Sequence, residues 1–144
     1  MRRAIAGTAA PRYDAGMVFR DVLQREFDRR RAANRRYSLR AFARALAIDH
    51  STLSQILRGQ RRLTSRTLRT LGSRLGLSAN EIATHCEAEN ETAILGAVPR
   101  DDFRADTRWL AVVLGVPIDE VNVALQALLR RRMLVMGGAQ WQTP

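Results

Sequence analysis

Four residues able to open a helix, Ser38, Asp49, Thr64 and Ser78, stand 11, 15 and 14 positions apart, and each is followed by apolar residues at helical spacing. A side-chain oxygen at such a position accepts from a backbone amide in the first turn, one of four that have no partner within the helix. Helices opened this often are short. Leu39, Phe42, Ala43 and Leu46 follow Ser38, while Leu53, Ile56 and Leu57 follow Asp49 with Gly59 as the stop. Leu68, Leu71 and Leu75 follow Thr64, and Ser78-Ala79-Asn80-Glu81 reads as a capping box that starts another helix. Ahead of these, Phe19, Val22, Leu23 and Phe27 form an amphipathic stripe running into RRRAANRR and ending near Asn34. Five short helices in about 75 residues predict a compact all-α domain over residues 17–90. Residues 1–16 mix Ala, Gly, Pro and Arg without periodicity and are expected to form a flexible basic arm.

Charge is divided as unevenly as structure. All 24 basic residues are arginine, and they outweigh 14 acids to give +10. Residues 1–76 hold 18 arginines against 5 acids, a balance of +13, whereas residues 77–144 hold 6 against 9, a balance of −3. The basic half has the electrostatics of a polyanion binder, because each phosphate it neutralises releases condensed counterions.

Other chemistries lack their residues. Cys86 is the single cysteine, so no internal disulfide can form. His50 and His85 are the two histidines, and His85-Cys86-Glu87 has no second cluster to complete a metal site. No phosphate-binding glycine loop and no catalytic triad can be assembled, so neither catalysis nor a cofactor is expected. With 46% hydrophobic residues the chain can bury a core, yet no run approaches a membrane span. The expectation is a protein of the cytoplasm with no membrane partner.

The stretch SLRAFARALAIDHSTLSQILRGQRRLTSRTLRTLGSRLGLS resembles the helix-turn-helix of the Cro/phage-repressor-like (XRE-type) family. Ala43 is the small residue where two helices meet, Ile48 the apolar residue after the turn, and Arg58-Gly59 precedes a leucine-rich helix ending LGLS. Two positions depart from the pattern. Ala47 stands where the family commonly has Gly, at a turn that would require a positive φ costing about 1 kcal/mol. Leu39 stands where the family often has Gln.

The resemblance implies that the helix over residues 50–58 enters the major groove of double-stranded DNA. Its buried side would be Leu53, Ile56 and Leu57. His50, Ser51, Ser54 and Gln55 would then face base edges, where Gln can bond bidentately to adenine and His and Ser can donate or accept. Ser38, Arg40, Arg58, Arg61 and Arg62 would contact phosphates and set register and affinity.

Residues 91–144 follow a second plan. Ala93, Ile94 and Ala97 suggest one helix, Asp106 or Thr107 caps another containing Trp109, Leu110, Val113 and Leu114, and Val121, Leu125, Leu128 and Leu129 stripe a third. MLVM and AQWQT then flank Gly137-Gly138, a dipeptide suited to a tight hairpin turn. This order resembles a winged helix, so the fold expected for the whole chain is mainly α: a five-helix repressor-like domain followed by a small winged-helix domain with a C-terminal β-hairpin. The third helix opens with Ile118, Asp119 and Glu120, which suits its dipole but faces phosphates poorly. Only Arg130, Arg131 and Arg132 bring positive charge near the wing. Dimerisation or contact with a protein partner is therefore the preferred role of 91–144, with a second DNA contact as the other.

Together these features read as a non-enzymatic, sequence-specific transcriptional regulator acting as a homodimer. The competing reading is a protein-interaction adaptor or antitoxin-like protein whose basic half docks non-specifically on nucleic acid. RNA ranks third, because the basic half lacks exposed aromatic residues for stacking unpaired bases.

Overall fold

The structure, a computed structural model, describes residues 18–137 and 140–144. The expected basic arm at residues 1–16 lies outside the described residues. Among those described, seven helices precede one hairpin: α1 (Phe19–Ala33), α2 (Leu39–Ala45), α3 (His50–Leu57), α4 (Ser65–Arg74), α5 (Ala79–Ala97), α6 (Thr107–Leu114), α7 (Ile118–Arg130), β1 (Val135–Gly137) and β2 (Gln140–Gln142). The chain divides into two compact units between His85 and Cys86. That division falls inside α5.

The capping residues act as their chemistry requires. Ser38 accepts from the Ala41 amide at 3.1 Å, Asp49 from Thr52 at 3.1 Å, and Thr64 from Thr67 at 3.3 Å. Ser78 and Glu81 close the capping box reciprocally, the Ser78 amide donating to Glu81 at 2.7 Å and the Glu81 amide to Ser78 at 3.2 Å. Each such contact is worth about 1 kcal/mol to its helix.

In the first unit the core takes Phe19, Val22, Leu23 and Phe27 from α1, Phe42 and Ala43 from α2, Leu53 and Ile56 from α3, and Leu68 and Leu71 from α4. Phe27 and Phe42 stack with centroids 5.5 Å apart. Leu57 departs from expectation: it is half-buried, being the last residue of a two-turn helix on the flank of its stripe away from Ile56. Leu75, at the C-cap of α4, is half-buried too, whereas Leu63 and Leu77 outside the helices are buried.

Two helices expected in sequence order, one from Ser78 and one around Ala93–Ala97, are a single helix α5. Residues 87–92, EAENET, contain neither Gly nor Pro, so nothing ends the backbone hydrogen-bond ladder there.

The second unit packs Ile94, Leu110, Leu114, Val121, Leu128 and Trp141 around one core. Asp106 caps α6 by accepting from the Arg108 amide at 2.8 Å. The hairpin pairs Val135 with Gln142, Met136 with Trp141 and Gly137 with Gln140. Gly137 thus ends β1 rather than forming the turn, and residues 138–139, between the strands, lie outside the described residues.

Candidate nucleic-acid interface

The junction of α2 and α3 is built from backbone hydrogen bonds that need an unusual dihedral. The Ala47 amide donates to Arg44 at 3.1 Å and the Ile48 amide to Ala43 at 3.0 Å, with Ala47 at φ 55°. This is a Schellman closure, whose left-handed position favours Gly. The sequence expectation of a positive φ at Ala47 holds. Ala43, 2% exposed, lets the two helices meet, and Asp49 at once caps α3.

α3 presents a divided surface. Leu53 and Ile56 are buried, whereas Ser51 is exposed and His50, Ser54 and Gln55 are half-buried. The helix ends through a second Schellman closure, the Gly59 amide donating to Ile56 at 3.0 Å and the Gln60 amide to Gln55 at 2.8 Å, with Gly59 at φ 73°. Arg58, Arg61 and Arg62 are exposed just beyond, and Ser38 and Arg40 are exposed at the start of α2. Ser38 uses its hydroxyl oxygen as the cap of α2, which leaves the hydroxyl proton to donate.

Two side-chain bonds order this surface. Arg58 Nε donates to the Ser54 carbonyl at 3.4 Å, and Arg61 Nη1 donates to Gln55 Oε1 at 3.4 Å. Spacing could not disclose the second, since Gln55 and Arg61 are joined only by the path of the loop. Behind α3 lies a cleft of about 290 Å³ whose lining includes Ile48, Thr52, Arg61, Arg62, Arg66 and Thr67. Arg66 and the hydroxyls of α4 join the arginines of the loop there, a grouping that the helix-by-helix reading missed.

The electrostatics have a simple origin in the chain. No carboxylate occurs between Asp49 and Glu81, a stretch that carries six arginines. On α1, by contrast, Glu26 is buried at 7% exposure and accepts from Arg29 at 2.7 and 2.8 Å. Arg30 lies over Phe42 and donates to the Tyr37 hydroxyl at 3.1 Å. Those two cations have partners on or beside α1, while Arg58, Arg61 and Arg62 after α3 are exposed.

Residues 29–82 match the family model described as helix-turn-helix, of the Cro/C1 type. This segment is a Cro/C1-type helix-turn-helix domain. The match begins within α1 and ends within α5, and the family is one of DNA-binding transcriptional regulators. None of the curated proteins and none of the solved structures compared with the chain matches it.

The second unit offers less positive charge than its arginines suggest. Arg131 is ion-paired with Glu91. Glu120 turns toward Asn90, whose Nδ2 donates to it at 3.1 Å, so one of the two acids opening α7 is engaged within the protein. Several apolar side chains stay outside the core, among them Val112 at 82% exposure and Met136 at 52%. Among the described residues no group of His, Cys, Asp and Glu could hold a metal ion, and no single helix is long and apolar enough to cross a membrane.

Proposed function

We propose that the protein is a sequence-specific, double-stranded DNA-binding transcriptional regulator that inserts α3 into the major groove. The observation that carries this reading is the outward face of α3: His50, Ser51, Ser54 and Gln55 on a helix anchored by Leu53 and Ile56, bordered by Arg58, Arg61 and Arg62 with no carboxylate before Glu81. His50, Ser51, Ser54 and Gln55 read base edges, with Gln55 matched to adenine. Ser38, Arg40, Arg58, Arg61 and Arg62 hold phosphates on either side.

A single helix of this size contacts few bases, so two copies on a two-fold-related site are needed for high specificity. Self-association falls to residues 91–144, the winged-helix-like domain in this reading. Two basic halves repel one another, whereas this part is nearly neutral and exposes Val112, Val123, Val135 and Met136.

Selection from a random duplex library tests the central claim. The expected result is an enriched motif with two related half-sites. Recovery of duplexes without any motif would leave only non-specific docking and favour the adaptor or antitoxin-like reading.

A further inference from the structure

We propose that Arg20, near the start of α1, is a further phosphate-contacting residue of this interface, admitted to it by the missing side chain of Gly59. The assignment rests on the DNA-binding reading above and adds a residue that neither the spacing of motifs nor the matched segment 29–82 includes.

A Cβ built on Gly59 would lie 2.4 Å from Arg20 Nη1 and 3.5 Å from its Cζ. The guanidinium therefore occupies the space that any other residue at position 59 would fill. It rests at the C-terminal end of α3 against Gly59, which follows Arg58 in the chain and lies close in sequence to Arg61 and Arg62.

A cation at a helix C-terminus has an obvious structural use, which is to bond the last carbonyls. Here three carbonyls of that end already have other partners. The carbonyl of Ser54 accepts from Arg58, that of Gln55 from Gln60, and that of Ile56 from Gly59. Arg20 makes no hydrogen bond or ion pair with any described residue. Its side chain is exposed, a planar fork of five N–H donors suited to two phosphate oxygens, set against the residue that follows Arg58 in the chain. Gly59 thus serves two purposes: it takes the φ of 73° that ends α3 and it leaves room for a guanidinium from another helix.

The test is the salt dependence of duplex binding by the full chain, measured with a duplex from the library selection or, without an enriched motif, with one random-sequence duplex. Each phosphate contact contributes about 0.9 to the slope of log K against log salt. Arg20→Gln should lower the slope by about that amount, and Arg20→Lys should retain it. Gly59→Ala must shift the far end of Arg20 and strains the φ of 73°, so any effect of it on the slope should depend on Arg20 and vanish in the Arg20→Gln background. Urea unfolding of each variant confirms that it is folded under the binding conditions. An unchanged slope in Arg20→Gln, beside a lowered one in Arg58→Ala, overturns the assignment while leaving the DNA reading intact. Lower stability with an unchanged slope also overturns it, because Arg20 would then serve only the end of α3. Absence of duplex binding by the unaltered chain overturns both.

Discussion

Arg61 Nη1 donates to Gln55 Oε1 at 3.4 Å, reaching from the loop after α3 back onto its outward face. The Gln55 oxygen keeps a second lone pair and its amide nitrogen keeps both protons, so the residue can still pair with adenine through both atoms. Arg61 restrains the amide plane before a base arrives. In the proposed complex one arginine would act on phosphate directly and on base choice through Gln55.

Arg58→Ala and Arg61→Ala should therefore differ. Both should weaken binding and reduce the salt slope by about one. Only Arg61→Ala should also lose preference at the base pair relaxed by Gln55→Ala, a discrimination worth about 1–3 kcal/mol. Competition among duplexes altered at that base pair gives the answer; full discrimination in Arg61→Ala would show that Gln55 holds its own orientation.

Ala47 carries the left-handed turn between α2 and α3 at φ 55° without being Gly. Ala47→Gly removes a steric cost of about 1 kcal/mol, part of which returns as greater freedom in the unfolded chain. The expected net is a gain of roughly 0.5 kcal/mol with DNA affinity unchanged. Ala47→Val should destabilise by more than that, because a β-branched residue tolerates this φ poorly. Urea unfolding followed by circular dichroism reads both.

Arg132 repeats the arrangement at the end of α7, at φ 56°, with its amide donating to Leu129 at 3.1 Å and that of Met133 to Leu128 at 2.9 Å. Arg132→Gly should slow hydrogen exchange at the C-terminal amides of α7. Faster exchange in the variant would mean that the arginine side chain contributes more there than its backbone strain costs.

His85 is buried at 5% exposure with its ring 5.3 Å from that of Phe19, edge to face. Burial holds its imidazole below the ordinary 6.5, against the opposing pull of Glu81. The unfolded chain then binds the proton more readily than the folded one, so the stability tied to neutral His85 is complete above 6.5 and is lost as pH falls toward the lower folded value. The urea midpoint should drop between about pH 7.5 and about pH 5.5, and His85→Leu should flatten that drop. An equal drop in the variant would assign it to other groups.

Val112 is 82% exposed near the middle of α6, so Val112→Glu removes no core contact and should leave the fold intact. With Val135→Glu, it should convert the proposed dimer to monomer in sedimentation equilibrium and weaken binding to a two-half-site duplex more than to a single half-site. An unchanged mass would place self-association elsewhere.

Much of the fold was legible in the sequence because its signals are local. Ser38, Asp49, Thr64 and Ser78 each act on an amide three residues away, and the stripes of α1 to α4 repeat within one or two turns. The positive φ of Ala47 was legible through the resemblance, since Ala47 stands where that family commonly has Gly. The expectations slipped where spacing alone did not settle the outcome, as in α5, where an uninterrupted EAENET joins two expected helices. Leu57 has the right spacing for burial but sits at the uncovered flank of its stripe. Gly137 looked like a turn residue, yet pairing with Gln140 draws it into β1.

The sequence by itself determined the order of the helices, the ends that close them and the separation of charge between the two halves, since each depends on residues close together in the chain. Only the tertiary structure decided which charges remain available. It pairs Arg131 with Glu91, engages Glu120 with Asn90, ties Arg61 to Gln55 and lays Arg20 across Gly59. These partners are separated by 6 to 40 residues. Helical and capping geometry reaches about four residues, so only packing and the path of the loops can bring them together.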